Sequence, residues 1–432
     1  MHDRLARLRL FLAVLMCFAL GGWTQLVGAQ ERVVQAPASD GAQAISGTDR
    51  VYTADQVSNT VSVIDPSTNT LLGTIPLGAP RSGPLLSPIY FDEIDVHGLG
   101  FSPDGALIDA ISVTTNSATL IDPTTNTPVG RAYAGRAPHE GFISPDGKEL
   151  WVAERGEGSI IVLDVATLLA AGAAGEPAAV GTGDVGIATP EAPAVIERIS
   201  TGKAPSMVVF SPDGRFAYVN HSEVAELVKI DVDSHEVVDR LTGLVSPFSP
   251  NLAVSPDGEE IWLTHKDVGM VTVVDADDFV VLAVLKTGPV TNHVTFVTTP
   301  DVAYAYVTVG GMDQTLVFER NGATPEKVAE IKNSGSTPHG IWPSPDNSRV
   351  YVGLENADAV DVIDTAAMEV VATIKTGQSP QALVYVANAV PTGAGADNLT
   401  MQGVGLRIET LAVETPDGGM ANAFVRELPT TD

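Results

Sequence analysis

Val254-Ser-Pro-Asp-Gly-Glu-Glu-Ile-Trp-Leu-Thr-His-Lys-Asp-Val-Gly-Met-Val-Thr-Val-Val-Asp275 holds the pattern that decides the fold. Pro pre-sets φ for a type I turn and Gly closes it, so Ser255-Pro-Asp-Gly258 is a tight reversal between two strands. Ile261-Trp-Leu-Thr264 and Val271-Thr-Val-Val274 are β-branched and aromatic runs of strand length, the second ending on Asp275. The same turn recurs at Phe101–Gly105, Ile143–Gly147 and Phe210–Gly214, with weaker copies at Thr299-Pro-Asp301 and Ser344-Pro-Asp-Asn347.

The residues before each Pro, at 102, 144, 211, 255, 299 and 344, are 42, 67, 44, 44 and 45 apart. The acids that end the apolar strand, Asp65, Asp122, Asp164, Asp231, Asp275, Glu319 and Asp364, are spaced 57, 42, 67, 44, 44 and 45. A period in the low forties with four short strands per unit predicts an all-β propeller. Six complete units run from about 94 to 379. Residues 50–77 supply three more strands and Gln381–Asn388 a lone first strand. Joined, these make a seventh blade, so the prediction is a seven-bladed β-propeller over 48–390, its ring closed by the C-terminal strand against three N-terminal ones. Closure removes the open sheet edges that invite aggregation. Two insertions interrupt the period. Pro80–Asp95 lengthens the link between blades 1 and 2. Ala170–Pro193, rich in Ala and Gly, reads as a mobile loop inside blade 3. Residues 391–432 read as a partly ordered tail or small cap.

The Ser-Pro-Asp-Gly turn, the Tyr-Val or Trp-Val strand and the Val-Ile-Asp strand resemble those of the YVTN-type seven-bladed β-propeller repeat family over roughly 48–390. That family is functionally mixed, so the resemblance implies a fold and leaves the chemistry to the residues.

Arg4, Arg7 and Arg9, the apolar run Leu10–Leu20 and the small residues Val27-Gly-Ala29 read as a secretory signal peptide over 1–29. The apolar run falls short of the ~20 residues that span a bilayer. The one cysteine of the 432-residue chain, Cys17, lies inside this segment. Its removal leaves a cysteine-free protein and shifts the net charge from -29 to -31. The expected location is periplasmic or secreted, and the expected state a monomer without a membrane span. Fifty-three acids against 24 Lys and Arg exclude a nucleic-acid partner. The 44% hydrophobic content excludes disorder for most of the chain.

Aligning the first-strand starts places His97, His139, Ser206, Asn251, His293, His339 and Gln381 at equivalent positions around the channel. The links from second to third strand add His221 and His265 at the same end, with Glu154 and Glu355 nearby. Six of the seven histidines outside the leader thus gather at one mouth, and only His235 falls on the other face. Imidazole is the commonest transition-metal ligand, and a sulfur-free set suits copper, zinc, iron or nickel. The expected ligands are His97, His139, His293, His339, His221 and His265. Glu140 and Glu154 are candidate proton carriers, and Arg155, Lys266 and Gln381 candidate cofactor-binding residues. Arg155 and Lys266 would also draw an anionic substrate toward an otherwise acidic protein, and the expected partners are a small molecule or a redox partner.

The ring of histidines also resembles the layout of copper-bearing propellers such as nitrous oxide reductase and thiocyanate dehydrogenase, which implies copper. The chain departs from the former in lacking a cupredoxin domain with Cys ligands and in carrying Ser206, Asn251 and Gln381 in the ring. A haem-type cofactor is the secondary expectation, from the layout of the propeller of dissimilatory nitrite reductase; no Cys-x-x-Cys-His is present, so covalent c-type haem is excluded. Two readings stay open beside a copper oxidoreductase: an interaction module whose histidines are structural, and a metal-dependent lyase or lactonase using His221, His265 and Glu154.

Overall fold

The computed structural model describes residues 42–78, 93, 95–173, 194–299, 301–405, 408–414 and 420–426. The leader segment and most of both insertions lie outside them. The described residues fall in one compact unit, Val34–Asp432. Seven four-stranded antiparallel sheets form the seven blades of a propeller. Their inner strands are Pro380–Val386 (blade 1), Val96–Phe101, Pro138–Ile143, Pro205–Phe210, Leu252–Val254, Thr291–Thr298 and Pro338–Pro343 (blade 7).

The repeated turn has a hydrogen-bond logic that explains its composition. Ser102, Ser144, Ser211, Ser255 and Ser344 each donate Oγ–H to the Asp two residues on, at 2.5–2.7 Å. The same Oγ accepts the backbone N–H five residues on, at 2.9–3.0 Å. The closing residue sits left-handed, at φ 69–78° for Gly105, Gly147, Gly214 and Gly258. In the weaker copy Asn347 takes φ 59°, because Asn is the side chain that best tolerates that region.

Ring closure is as the spacing predicts. Pro380–Val386 pairs antiparallel with Arg50–Asp55, in register Arg50↔Val386 to Asp55↔Pro380. The apolar core lies between the blades. Trp151 of blade 3 packs edge-on against Phe210 of blade 4, and Trp262 of blade 5 against Phe296 of blade 6, both tryptophans fully buried. Two exposed outer edges are covered. Helix α1, Val165–Ala173, opens the alanine-rich insertion and buries Val165 and Leu168. It lies so close to the outer strand of blade 2 that a Cβ on Gly130 would meet the Leu168 carbonyl oxygen at 2.8 Å. The segment after the ring crosses the outer strand of blade 1, where Thr74 and Thr400 exchange backbone hydrogen bonds of 2.7 and 2.9 Å. It also reaches blade 2, where Asn126 Nδ2 donates to the carbonyls of Gly395 and Asp397. A two-stranded hairpin, Ile408–Glu414 and Met420–Arg426, follows.

Candidate functional site

At the channel mouth the backbone itself aims the side chains. In blades 2, 3, 4, 7 and 1 the residue two before the ring position is left-handed without being glycine: Asp95 (φ 61°), Ala137 (50°), Ala204 (50°), Thr337 (58°) and Ser379 (58°). Four of these precede proline, which disfavours helical backbone, so the turns hold strain that other contacts must offset. In four of the five the contact is the same. An Asn or Asp from the previous blade accepts the N–H of the strained residue: Asn59 to Asp95 at 3.0 Å, Asn116 to Ala137 at 2.8 Å, Asp313 to Thr337 at 2.9 Å and Asp358 to Ser379 at 2.9 Å. These four clamps serve the ring positions His97, His139, His339 and Gln381.

Gly98 and Gly340, each following a ring histidine, have a packing reason. A Cβ on Gly98 would stand 2.6 Å from the His139 carbonyl oxygen and 2.7 Å from Glu140 Oε2, and one on Gly340 would run into the Gln381 carbonyl oxygen. Inner strands converge toward the axis, and only glycine lets them come this close.

The four ring histidines form two pairs. His97 and His139 have centroids 4.3 Å apart, and His293 and His339 4.7 Å apart. His97 Nδ1 lies 3.6 Å from Glu140 Oε1, and His339 Nδ1 lies 3.5 Å from Glu355 Oε2. His139 Nδ1 is 2.8 Å from the Ser206 carbonyl oxygen, which fixes that ring and its tautomer. Gln381 donates to Ser379 Oγ at 3.1 Å. Among the described residues, one set offers three ligand atoms all within 4.8 Å of one another: His97, His139 and Glu140. In that set His97 Nδ1 and Glu140 Oε1 are buried without a hydrogen-bond partner.

Burial dominates the electrostatics. It lowers His97 and His293 to about 3 and holds His139 and His339 well below the usual imidazole range, so all four rings are neutral at pH 7. The charge of Arg155 adds to the effect on His97 and His139, and that of Lys266 on His97, His293 and His339. Burial also raises Glu140 to about 8 against the opposing pull of Arg155. Arg155 Nη2 donates to Ser206 Oγ at 3.3 Å. A narrow channel lies at the axis, with Glu140, Asn251 and His293 among its lining. Its walls are apolar: Leu99, Phe142, Val209, Val254 and Trp342.

The remaining expected residues are placed otherwise. His221 and His265 do end second strands on the mouth side, but their rings are engaged within their own blades. His221 Nδ1 bonds the Glu226 carbonyl oxygen at 3.2 Å, and His265 Nε2 bonds Thr272 Oγ1 at 2.8 Å. Glu154 occupies the same position in blade 3, accepting from Ser159 Oγ at 2.5 Å and Arg198 Nε at 3.3 Å. Asp55 does so in blade 1, accepting from Thr53, Thr60 and Ser62. Sequence reasoning expected His221, His265 and Glu154 at this end, and it could not tell an inward ring position from a second-strand terminus whose side chain bonds within its own blade. It also passed over the four Asn and Asp clamps, whose signal was an Asn or Asp closing the second-to-third turn. His235, on the far face, sits between Glu149 and Glu197, 3.1 Å from each.

Solved structures share the fold. Hydrazine synthase of Kuenenia stuttgartiensis superposes with a TM-score of 0.55 at 19% identity, over 69% of this chain and 92% of that one. Dihydro-heme d1 dehydrogenase NirN, solved in complex with DHE, gives 0.54 at 19%, over 83% and 80%. The periplasmic gluconolactonase PpgL of Pseudomonas aeruginosa gives 0.56 at 16%, over 78% and 99%. No curated protein sequence matches. The family model described as a YNCE-like beta-propeller matches residues 164–390, just over half of the chain. With that match and seven closed blades, the chain belongs to the YNCE-like β-propeller family.

Proposed function

We propose that this protein is an exported metal-binding propeller that holds one transition-metal ion at the channel mouth through His97, His139 and Glu140. The observation that carries the reading is the convergence of those three donors within 4.8 Å. Ligands about 2.1 Å from one ion stand roughly 3.4 Å apart in tetrahedral geometry, so the three donors would have to draw closer together on binding. Two imidazoles and one carboxylate without sulfur suit copper best among the divalent first-row ions. The rings are neutral at pH 7 and so do not need to lose a proton to bind. A bound copper would supply one-electron chemistry on a small molecule at the mouth. The chain's own residues would fix its position, with the Ser206 carbonyl orienting His139 and the apolar channel limiting access from below. The basic, apolar and small-residue pattern of 1–29 supports export, and no described helix is long and apolar enough to cross a membrane.

The test is metal analysis of protein purified from the periplasm, followed by Cu(II) titration watched by electron paramagnetic resonance. One equivalent should bind, and His97→Ala or His139→Ala should each weaken it about 100-fold, while His235→Ala leaves it unchanged. Absence of stoichiometric binding, or equal binding in all variants with unchanged melting temperatures, would refute the metal site.

A further inference from the structure

The ring of seven is uneven. Imidazole pairs occupy blades 2–3 and 6–7, while blades 4 and 5 present the shorter, neutral side chains of Ser206 and Asn251, both buried. The cations of the mouth gather on that side. Arg155 leaves the end of the second strand of blade 3 and reaches Ser206 Oγ in blade 4. Lys266 follows the second strand of blade 5, two residues after Thr264, whose hydroxyl donates to the Asn292 carbonyl oxygen at 2.6 Å beside His293. Among the described residues neither cation has a carboxylate within 4 Å, and Arg155 Nε is buried without a hydrogen-bond partner. Lys266 forms no hydrogen bond among the described residues. A chain with net charge -29 has carboxylates to spare for pairing, as Arg198, Arg240, Arg320 and Arg349 show. Two half-buried cations whose opposing carboxylates, Glu140 for Arg155 and Glu355 for Lys266, act on them without a direct ion pair form a receptive site, since incompletely compensated charge out of water is costly.

We infer that the Ser206–Asn251 side of the mouth binds a small oxyanion, inorganic or a short carboxylate, between the Arg155 guanidinium and the Lys266 ammonium. Guanidinium offers paired N–H donors that match two oxygens of such an anion, and ammonium adds a point charge. The walls beneath are apolar, so the anion stays at the rim, within reach of both imidazole pairs. The acidity of the rest of the surface excludes a long polyanion. The inference names the ligand class of the site proposed above, but its two cations do not require the metal.

Calorimetric titration of the full chain, metal-free and copper-loaded, with nitrite, sulfate and acetate, and with neutral acetamide as control, tests it. Nitrite and sulfate against acetate separate an inorganic from a carboxylate ligand. At least one anion should saturate in the metal-free form, weakening tenfold or more in Arg155→Gln and in Lys266→Gln, with acetamide silent. Far-UV circular dichroism and the melting temperature show that each variant folds, and Lys286→Gln, on an outer strand, should bind as wild type. No saturable binding of any anion, or equal binding in both cation variants, overturns the inference. Anion binding in a protein that takes up no metal would sink only the metal reading, and metal uptake without anion binding would sink only this one.

Discussion

At the scale of single residues, the mouth depends on small groups that carry no chemistry. Gly98 has no room for a methyl, since the His139 carbonyl and the Glu140 carboxylate already border its Cα. Gly98→Ala should therefore destabilise the protein by about 1–3 kcal/mol, as overpacking does. It should also weaken Cu(II) binding, because the strand carrying His139 and Glu140 must move away from His97. Denaturant unfolding together with metal titration would check both effects, and an unchanged affinity would show that the two strands need not be so close. Asn116 is the second case. Asn116→Ala removes the acceptor for the left-handed Ala137 N–H and should cost about 1 kcal/mol or more. The loss should fall on His139, two residues on, and show as broadened ring signals in NMR with His339 unaffected. The histidines of the ring were readable from the repeat, because equivalent positions can be aligned. Their sorting into two pairs was not, because side-chain direction depends on blade twist and on turns whose left-handed residues, such as Thr337, no propensity would choose.

At the scale of elements, the four-strand period, the order of strands and the closing strand were all legible, because Ser-Pro-Asp-Gly and the terminal acid fix both ends of each hairpin. Covering elements were less so. The alanine-rich segment has no amphipathic signal strong enough to declare α1, and its role comes from Gly130 in a neighbouring blade. The strap at 391–405 has no strand periodicity, since it binds through isolated backbone contacts and the Asn126 amide. The closing strand permits a sharp prediction. Val384 is buried in the core shared by blades 1 and 2, and Val384→Asp places an unpaired carboxylate there. It should cost more than about 3 kcal/mol. The same change at exposed Val280, on an outer strand, should stay within roughly 0.5 kcal/mol. Thermal melts would compare the two; similar effects would mean that the ring is not held by that strand.

At the scale of the whole molecule, buried groups of opposite type shape the pH response. His265 is lowered to about 4 by burial, so its contribution is full above 6.5 and is lost as pH falls toward 4. Asp55 and Glu154 are raised to about 7 by burial, so theirs is full below the usual carboxylate range and is lost as pH rises through about 7. Asp55→Asn isolates one branch. Its cost relative to wild type should shrink by at least about 1 kcal/mol between pH 5 and pH 8, because only the wild type must hold a buried carboxylate at the higher pH. A pH-independent difference in urea unfolding would show that Asp55 is ionised throughout. The pairing of Arg50–Asp55 with Pro380–Val386 has a further consequence, for the order in which the chain is made. Synthesis proceeds from the N-terminus, so blade 1 waits with a bare edge and an unfilled core until residue 386 has emerged. The molecule thus cannot complete its first-made blade before its last, and a chain cut short at any earlier blade is left with a sticky edge that marks it as unfinished.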